Sequence, residues 1–552
     1  MERRRIVIPV LVAALLLVTG STLANPKKAI PAEVYQLLAE GKIPEGILKA
    51  RNLLTQAESE YGIDSLEVAD AAQNLSLILS FVKVGDKTER IALAEQAVET
   101  KRNLLASRDP SLAAALYVLG QAYYQAYDYP GSVQHFRNAL AIIDDYFGPH
   151  HHDALVYVRE FGSALHQTGD YEQALVAFQR QAILSGDVYG QADPVTLSAL
   201  RNVALARMRL DQYGEAEQIY RQIIKNLEAS STPNDELRAT TLRSLSAVLE
   251  MQGRLDEALK QGEAALELGR VTYVDEPDWV PRTLNNLANT LRKTGDLEKA
   301  RRYLEESVAL QMSHDGDPHL AFRTGMNLAM TALESGSAEE GLEIIEQARH
   351  AAEEAIAHSD LVWGAFYYYR GTIQRQLNNS VAAARDYRRG LQLRAEQGYS
   401  EDFDTAELLV GLAVSEMESG KTSEALEHLG KAAVMMAPLS GTRHPAYIEI
   451  LDTIALAHWR RDQFEQAAAA GKEAAAASHR LMRATIGGLP ERQALRFAGR
   501  RLSGDDVAVA SALQLQTEGG DTRGTVDMLL RSRSLVFDEM VSRSRLLREL
   551  PD

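Results

Sequence analysis

The stretch Gly169-Asp170-Tyr171-Glu172-Gln173-Ala174 recurs in altered form as Gly295-Asp296-Leu297-Glu298-Lys299-Ala300. With its third residue as a marker, the pattern extends over nine positions. The markers are Tyr129, Tyr171, Tyr213, Leu255, Leu297, Ala338, Ser380, Thr422 and Phe464. Successive markers lie 42 residues apart, except for one step of 41 between Leu297 and Ala338. A fixed period of this length is the signature of a repeat architecture.

Three columns of the repeat predict its local structure. Three residues after each marker, and nine residues before it, only Ala, Ser or Gly occurs. Small residues let two antiparallel helices approach closely. Two residues before the marker, eight of the nine units carry Gly, Asn or Asp, which most readily adopt a left-handed backbone. Each unit is therefore predicted to be a helix, a tight turn and a second helix, with prolines between units.

These columns resemble the tetratricopeptide repeat, and the longer period resembles the variety found in kinesin light chains. Asn202-Val203-Ala204, Asn286-Leu287-Ala288 and Asn327-Leu328-Ala329 match the Asn-Leu-Ala core of its first helix. A HEAT or armadillo array, with a period of roughly 40–47 residues, is the alternative. The resemblance implies an all-α, right-handed superhelical solenoid of about ten to eleven helical hairpins, followed by irregular C-terminal helices.

The sequence divides into four predicted segments. Residues 1–24 carry three arginines, an apolar run and small residues before a cleavage position, as a signal peptide does. Residues 25–109 are predicted to be degenerate first repeats, residues 110–477 the repeat array, and residues 478–552 a helical connector. We expect an exported protein, periplasmic or extracellular, or one anchored in the membrane if the signal stays uncleaved.

The last segment resembles the helical connector that precedes the caspase-like CHAT domain of bacterial repeat proteins. The residues that carry the resemblance are Leu529-Leu530-Arg531-Ser532-Arg533-Ser534-Leu535-Val536-Phe537-Asp538-Glu539-Met540. In that family a protease domain with a histidine and a cysteine follows. This chain has no cysteine, so the resemblance assigns no catalytic residue. A C-terminal capping helix bundle is the alternative interpretation.

Composition and motifs exclude several classes of function. The net charge of −17 disfavours broad nucleic-acid binding. The sequence has no phosphate-binding glycine loop, no His-Glu-x-x-His helix and no nucleophile elbow. His150-His151-His152-Asp153 alone has the composition of a metal site, but adjacent side chains are expected to point apart. We therefore expect no enzymatic activity, no cofactor and no metal in this chain.

The first helices of a solenoid of this kind line its concave face, where partners bind. Twelve residues before successive markers stand Tyr117, Arg159, Arg201, Arg243, Asn285, Met326, Tyr368, Val410 and Asp452. Asn289, Arg292 and Lys293 continue the polar stripe. Aligned arginines indicate recognition of an acidic segment or a peptide carboxylate, with Tyr117 and Tyr368 as anchors. Structural salt bridges, such as one from Arg159 to Glu160, are the alternative.

Two functions follow from the sequence. The first is a scaffold or adaptor that binds a polypeptide in its concave groove. The alternative is the sensor half of a CHAT-type protease whose catalytic domain is missing from this chain.

Overall fold

A computed structural model describes residues 30–82, 86–230, 234–274, 276–312, 316–358, 360–440 and 445–486, with residues 510, 511 and 514. The predicted signal peptide and most of the predicted connector lie outside these residues, so both stay predictions. Within the described ranges, no helix is long and apolar enough to cross a membrane.

The described residues form twenty-two α-helices and no strand. The first twelve are α1 (Ala32–Ala39), α2 (Ile43–Tyr61), α3 (Leu66–Val82), α4 (Lys87–Leu104), α5 (Pro110–Gln125), α6 (Tyr129–Phe147), α7 (Ala154–Gln167), α8 (Tyr171–Tyr189), α9 (Pro194–Arg209), α10 (Tyr213–Ala229), α11 (Asp235–Met251) and α12 (Leu255–Thr272). The other ten are α13 (Trp279–Thr294), α14 (Leu297–Met312), α15 (Pro318–Glu334), α16 (Ala338–Ala352), α17 (Val362–Gln376), α18 (Ser380–Glu396), α19 (Phe403–Glu418), α20 (Thr422–Ser440), α21 (Pro445–Trp459) and α22 (Phe464–Ile486).

These helices pair into eleven hairpins, which confirms the predicted all-α array of helical hairpins. Each of the nine markers is the first residue of the second helix of its hairpin, from Tyr129 in α6 to Phe464 in α22. The chain forms two compact units, residues 1–283 and 284–552. The division falls within α13.

The turn inside each hairpin depends on a residue with a left-handed backbone. All nine residues two positions before the markers have a positive φ, between 58° and 88°. Eight are the predicted Gly, Asn or Asp, and the ninth is Tyr127, with a φ of 63°. Asp170 then caps α8 by accepting a hydrogen bond from the Gln173 amide at 3.2 Å, and Asp296 does the same for Lys299 at 3.1 Å. The turn chemistry predicted from the sequence is confirmed.

The small-residue columns lie where the two helices of a hairpin touch. Ser132, Ala174, Ala216 and their equivalents are buried in every unit, as are the small residues nine positions before the markers. The approach leaves no room for a methyl group at some of these positions. A Cβ placed on Gly162 would lie 2.7 Å from Cε1 of Phe178 in α8. The column therefore reflects a packing requirement.

We predict that Gly162→Ala lowers stability by about 1–3 kcal/mol, because the new methyl group overlaps the Phe178 ring. Gly214→Ala, on α10 in the same compact unit, is the matched control, since a Cβ at that position has no neighbour within 4 Å apart from its own helix backbone. The control should stabilise helix α10 by up to about 1 kcal/mol. Urea unfolding of both variants checks this, and equal midpoints would contradict the close packing.

Candidate partner-binding surfaces

The predicted groove residues all lie on the first helices of their hairpins. Arg159, Arg201 and Arg243 lie on α7, α9 and α11, within the first unit. The four predicted residues from Asn285 to Lys293 lie on α13. Tyr117 lies on α5 and Tyr368 on α17. Six of them separate into three groups by their exposure and contacts, and Asn289, Lys293 and Tyr368 are described alongside.

Tyr117 and Asn285 form the first group, which belongs to the core. Each is 2% exposed, and this corrects their assignment to an open groove surface. The Tyr117 ring packs against Phe136, with ring centroids 5.6 Å apart. The Asn285 side-chain oxygen accepts a hydrogen bond from the Asn327 amide at 2.9 Å. Both side chains point at a neighbouring helix, so they stabilise the solenoid.

The second group consists of arginines with a carboxylate partner. Nε of Arg159 donates to the Glu160 carboxylate at 2.7 Å, which is the structural salt bridge considered as the alternative. Nε of Arg292 donates to Glu334, one repeat further on, at 2.9 Å. These two arginines are already neutralised by the chain. On the same stripe of α13, Asn289 is half-buried and Lys293 is exposed.

Arg201 and Arg243 form the third group, which lacks such partners. Both are half-buried, and no carboxylate of the described residues forms an ion pair with either guanidinium. Nε of Arg201 and Nη1 of Arg243 are buried without a hydrogen-bond partner. The sequence explains the difference from Arg159, because the next residue is Glu160 there but Asn202 and Ser244 here.

Arg243 packs against an aromatic floor, which consists of the stacked rings of Trp279 and Tyr273. Its guanidinium lies 4.7 Å from the centroid of the Trp279 ring, which itself stacks on Tyr273 at 4.5 Å. Burial lowers the pKa of Arg243, and the nearby positive charges of Arg201 and Arg282 act in the same direction, while Tyr273 and the carboxylate of Glu276 oppose them without cancelling the shift. The two unpaired arginines are therefore close enough to repel each other. This arrangement favours an anion that bridges them.

The second unit contains a small cavity of about 100 Å³ beside Tyr368. Its lining includes Tyr387, Glu407, Val410 and Glu449. A single ordered water needs about 10–15 Å³, whereas drug-sized ligands occupy about 300 Å³ or more. The cavity therefore fits the end of one side chain, and its lining is mixed in charge, with the carboxylates of Glu407 and Glu449 and the guanidinium of Arg375. The repeat period could have predicted that these two carboxylates lie in neighbouring repeats, because Glu407 and Glu449 are 42 residues apart.

The carboxyl group of Glu407 has an unusual pKa. Burial, together with the carboxylates of Asp404 and Glu449, raises the pKa of Glu407 to about 7 from its ordinary value of 4.5. No cation of the described residues forms an ion pair with it. Its ionised form is thus disfavoured in the folded protein near neutral pH.

We predict that Glu407→Gln stabilises the protein at pH 8 by on the order of 1–3 kcal/mol and leaves it unchanged at pH 4. The folded state binds the Glu407 proton more tightly than the unfolded chain does. Its contribution to stability is therefore full below about pH 4.5 and is lost as the pH rises through about 7. Urea unfolding at both pH values measures the effect. Glu424→Gln, at an exposed position of α20, should show no such pH dependence.

His151, His152 and Asp153 come together at the start of α7. Each offers one ligand atom, and these atoms all lie within 4.8 Å of one another. The expectation that these adjacent side chains point apart is therefore wrong. The three residues form the turn that leads into α7, where Asp153 already has a helical backbone conformation, so they do not alternate in direction as in an extended chain.

The tetratricopeptide repeat family matches this chain at residues 111–180, 195–270, 247–313 and 404–478. The protein therefore contains tetratricopeptide repeats, which confirms the prediction made from the 42-residue period. The hairpins α15–α16 and α17–α18 lie between the matched segments. They keep the same left-handed turn, at Gly336 and Asn378.

Among proteins of known sequence, the chain is 21% identical over 256 residues to the RxLR effector protein SFI4 of Phytophthora infestans, covering 44% of this chain and 76% of that protein. It is 24% identical over 305 residues to a clustered mitochondria protein homolog of Coccidioides immitis. That match covers 52% of this chain but only 22% of the homolog.

Two solved structures are also similar. Kinesin light chain TPR-like repeats from Podosopora anserina are 19% identical, cover 37% of this chain and 95% of theirs, and superpose with a TM-score of 0.34. The apo form of RapI is 12% identical, covers 68% of this chain and 99% of its own, and superposes with a TM-score of 0.49.

Proposed function

We propose that this protein binds a polypeptide partner through the first helices of its repeats and acts as a scaffold or adaptor. Within that function, Arg201 and Arg243 bind an acidic segment or the C-terminal carboxylate of the partner. Tetratricopeptide repeats typically mediate protein–protein interactions, which supports the general function. The export expected from residues 1–24 would place this binding outside the cytoplasm.

The pair of unpaired arginines is the observation that carries the proposal. Two half-buried positive charges repel each other, and each has a buried N–H group without an acceptor. An unsatisfied buried donor costs about 1–3 kcal/mol, more when it is charged. A carboxylate beside the two guanidinium groups would accept hydrogen bonds from their accessible N–H groups and remove the repulsion. Binding of an acidic group is therefore favourable, because it relieves the charge repulsion that is present in the free protein.

The aromatic floor adds geometric selectivity. Trp279 lies against the guanidinium of Arg243, which restricts its orientation and leaves the edge of the guanidinium as the site for a ligand. Guanidinium groups bind carboxylates through two parallel hydrogen bonds, which a single-point contact cannot replace. We therefore expect the orientation of the bound carboxylate to matter, and not only its charge.

We predict that Arg201→Gln and Arg243→Gln each weaken binding of an acidic peptide about tenfold, because a hydrogen bond to a charged group contributes about 1.5–3 kcal/mol. Fluorescence anisotropy with a labelled glutamate-rich peptide at low salt measures the affinity. Raised salt should weaken binding to the parent protein. A peptide with glutamine in place of glutamate should bind much more weakly, and amidation of the C-terminus tests the terminal carboxylate.

Arg221→Gln is the matched control for this experiment. Arg221 lies on α10 in the same unit, but its guanidinium already pairs with Glu217 at 2.8 Å. Its loss should leave peptide affinity within a factor of two. Arg201→Gln should not lower the urea midpoint, because the described residues offer Arg201 no ion pair to lose. Affinity unchanged in Arg201→Gln and Arg243→Gln, or an equal loss in Arg221→Gln, would refute the proposed contact.

A further inference from the structure

We propose that His151, His152 and Asp153 bind a divalent transition-metal ion, with zinc as the best fit, at the joint between α6 and α7. The site lies within the first unit. It is independent of the arginine pair, so either proposal can fail without the other.

The spacing of the ligand atoms is the first argument. Nδ1 of His151 lies 3.6 Å from one Asp153 carboxylate oxygen, and Nε2 of His152 lies 3.4 Å from the other. Zinc binds imidazole nitrogen and carboxylate oxygen at about 2.0–2.2 Å in tetrahedral geometry, which places neighbouring ligand atoms about 3.3–3.6 Å apart. Each measured separation is close to one edge of such a tetrahedron, but the two end on different oxygens of Asp153, and the three ligand atoms lie within 4.8 Å of one another, so the side chains would move closer together around a common ion.

The Asp153 carboxylate is the second argument, because it has no hydrogen bond. Its side chain is 0% exposed, and both oxygens are buried without a hydrogen-bond partner. Asp109, Asp193 and Asp317 stand at the equivalent ends of α5, α9 and α15, and each accepts a hydrogen bond from a backbone amide of its helix. Asp153 makes no such capping bond to α7. A buried carboxylate without a donor requires another partner, and a metal ion would supply it.

The surroundings hold the ligands in place. The His151 ring stacks on Phe147 with ring centroids 4.6 Å apart and planes 10° from parallel. The carbonyl of Pro149 accepts hydrogen bonds from Arg180 at 2.8 and 3.2 Å, which fixes the loop before the site. The backbone amide of Leu155 donates to the His152 carbonyl at 3.0 Å. These contacts hold the turn in which the three side chains lie close together.

The donor set indicates the class of ion. Two imidazoles and one carboxylate suit zinc and its neighbours better than magnesium or calcium, which prefer oxygen ligands. Three protein ligands leave a fourth position for water or for a side chain of a partner. Nδ1 of His151 accepts a long hydrogen bond of 3.3 Å from the Asp153 amide, which metal binding would replace. His150 is exposed and is not part of the cluster, although it belongs to the same run of histidines.

The test uses the full chain, produced without a polyhistidine tag and stripped of metal with a chelator. Titration with Co²⁺ should give the visible absorption of a four-coordinate ion at one ion per chain, and Zn²⁺ should displace it. His151→Gln, His152→Gln and Asp153→Asn should each weaken Zn²⁺ binding about tenfold or more, since each removes one of three ligands. His150→Gln is the matched control and should leave the affinity unchanged.

Thermal unfolding provides a second readout. Saturating Zn²⁺ should raise the melting temperature of the parent chain and of His150→Gln, but not that of His152→Gln. His152 is 42% exposed, so its replacement should not disturb folding. An equal loss of affinity in His150→Gln and His152→Gln would overturn the proposal and show only the surface affinity of a histidine run. Co²⁺ absorption of a six-coordinate ion, or no binding at all, would also overturn it.

Discussion

The close approach of the two helices in each hairpin is the constraint on which the rest of the structure depends. At the small-residue columns, aromatic rings such as Phe178 reach the backbone of the opposite helix, and Gly162 leaves just enough room for that ring. Protein interiors are packed as densely as organic crystals, so such a contact fixes the rotation of both helices. Once the rotation is fixed, the side of the first helix that carries Arg201 and Arg243 is fixed as well.

The left-handed turn residue adds a constraint on length. A helix that ends in a left-handed residue can reverse within about two residues, and this keeps all nine markers at the first position of the following helix. A residue other than glycine in this conformation costs about 1–2 kcal/mol, and Tyr127 accepts that cost. The turn is therefore maintained by the packing of the helices it joins, and not by the local preference of its sequence alone.

Much of the fold followed from the sequence because its determinants are local and repeated. The markers, the turn residues and the small columns predicted the hairpins, and the structure agrees at each of these positions. The candidate site was less predictable, because the 42-residue period identifies equivalent positions but not their contacts. Arg159 and Arg201 occupy the same column, yet only Arg159 is followed by an acidic residue that neutralises it. Tyr117 is buried by Phe136 and Tyr157, contacts that no spacing rule reveals.

The repeats also limit where function can lie. The second helices contribute their small-residue columns to the hairpin contact, and the unusual charged groups of the described residues occur on first helices and at a joint between hairpins. The unpaired arginines and Glu407 lie on first helices, and the orphaned Asp153 carboxylate lies at a joint. Each is an unfavourable arrangement of charge that a salt bridge or a cap relieves in other repeats of this chain. Sequences that specify one structure usually satisfy such groups, and exceptions concentrate at functional sites. The arginines are positive whereas Glu407 and Asp153 are negative, so a single kind of packing defect does not explain all three, and the proposed ligands would differ in chemistry from one site to the next.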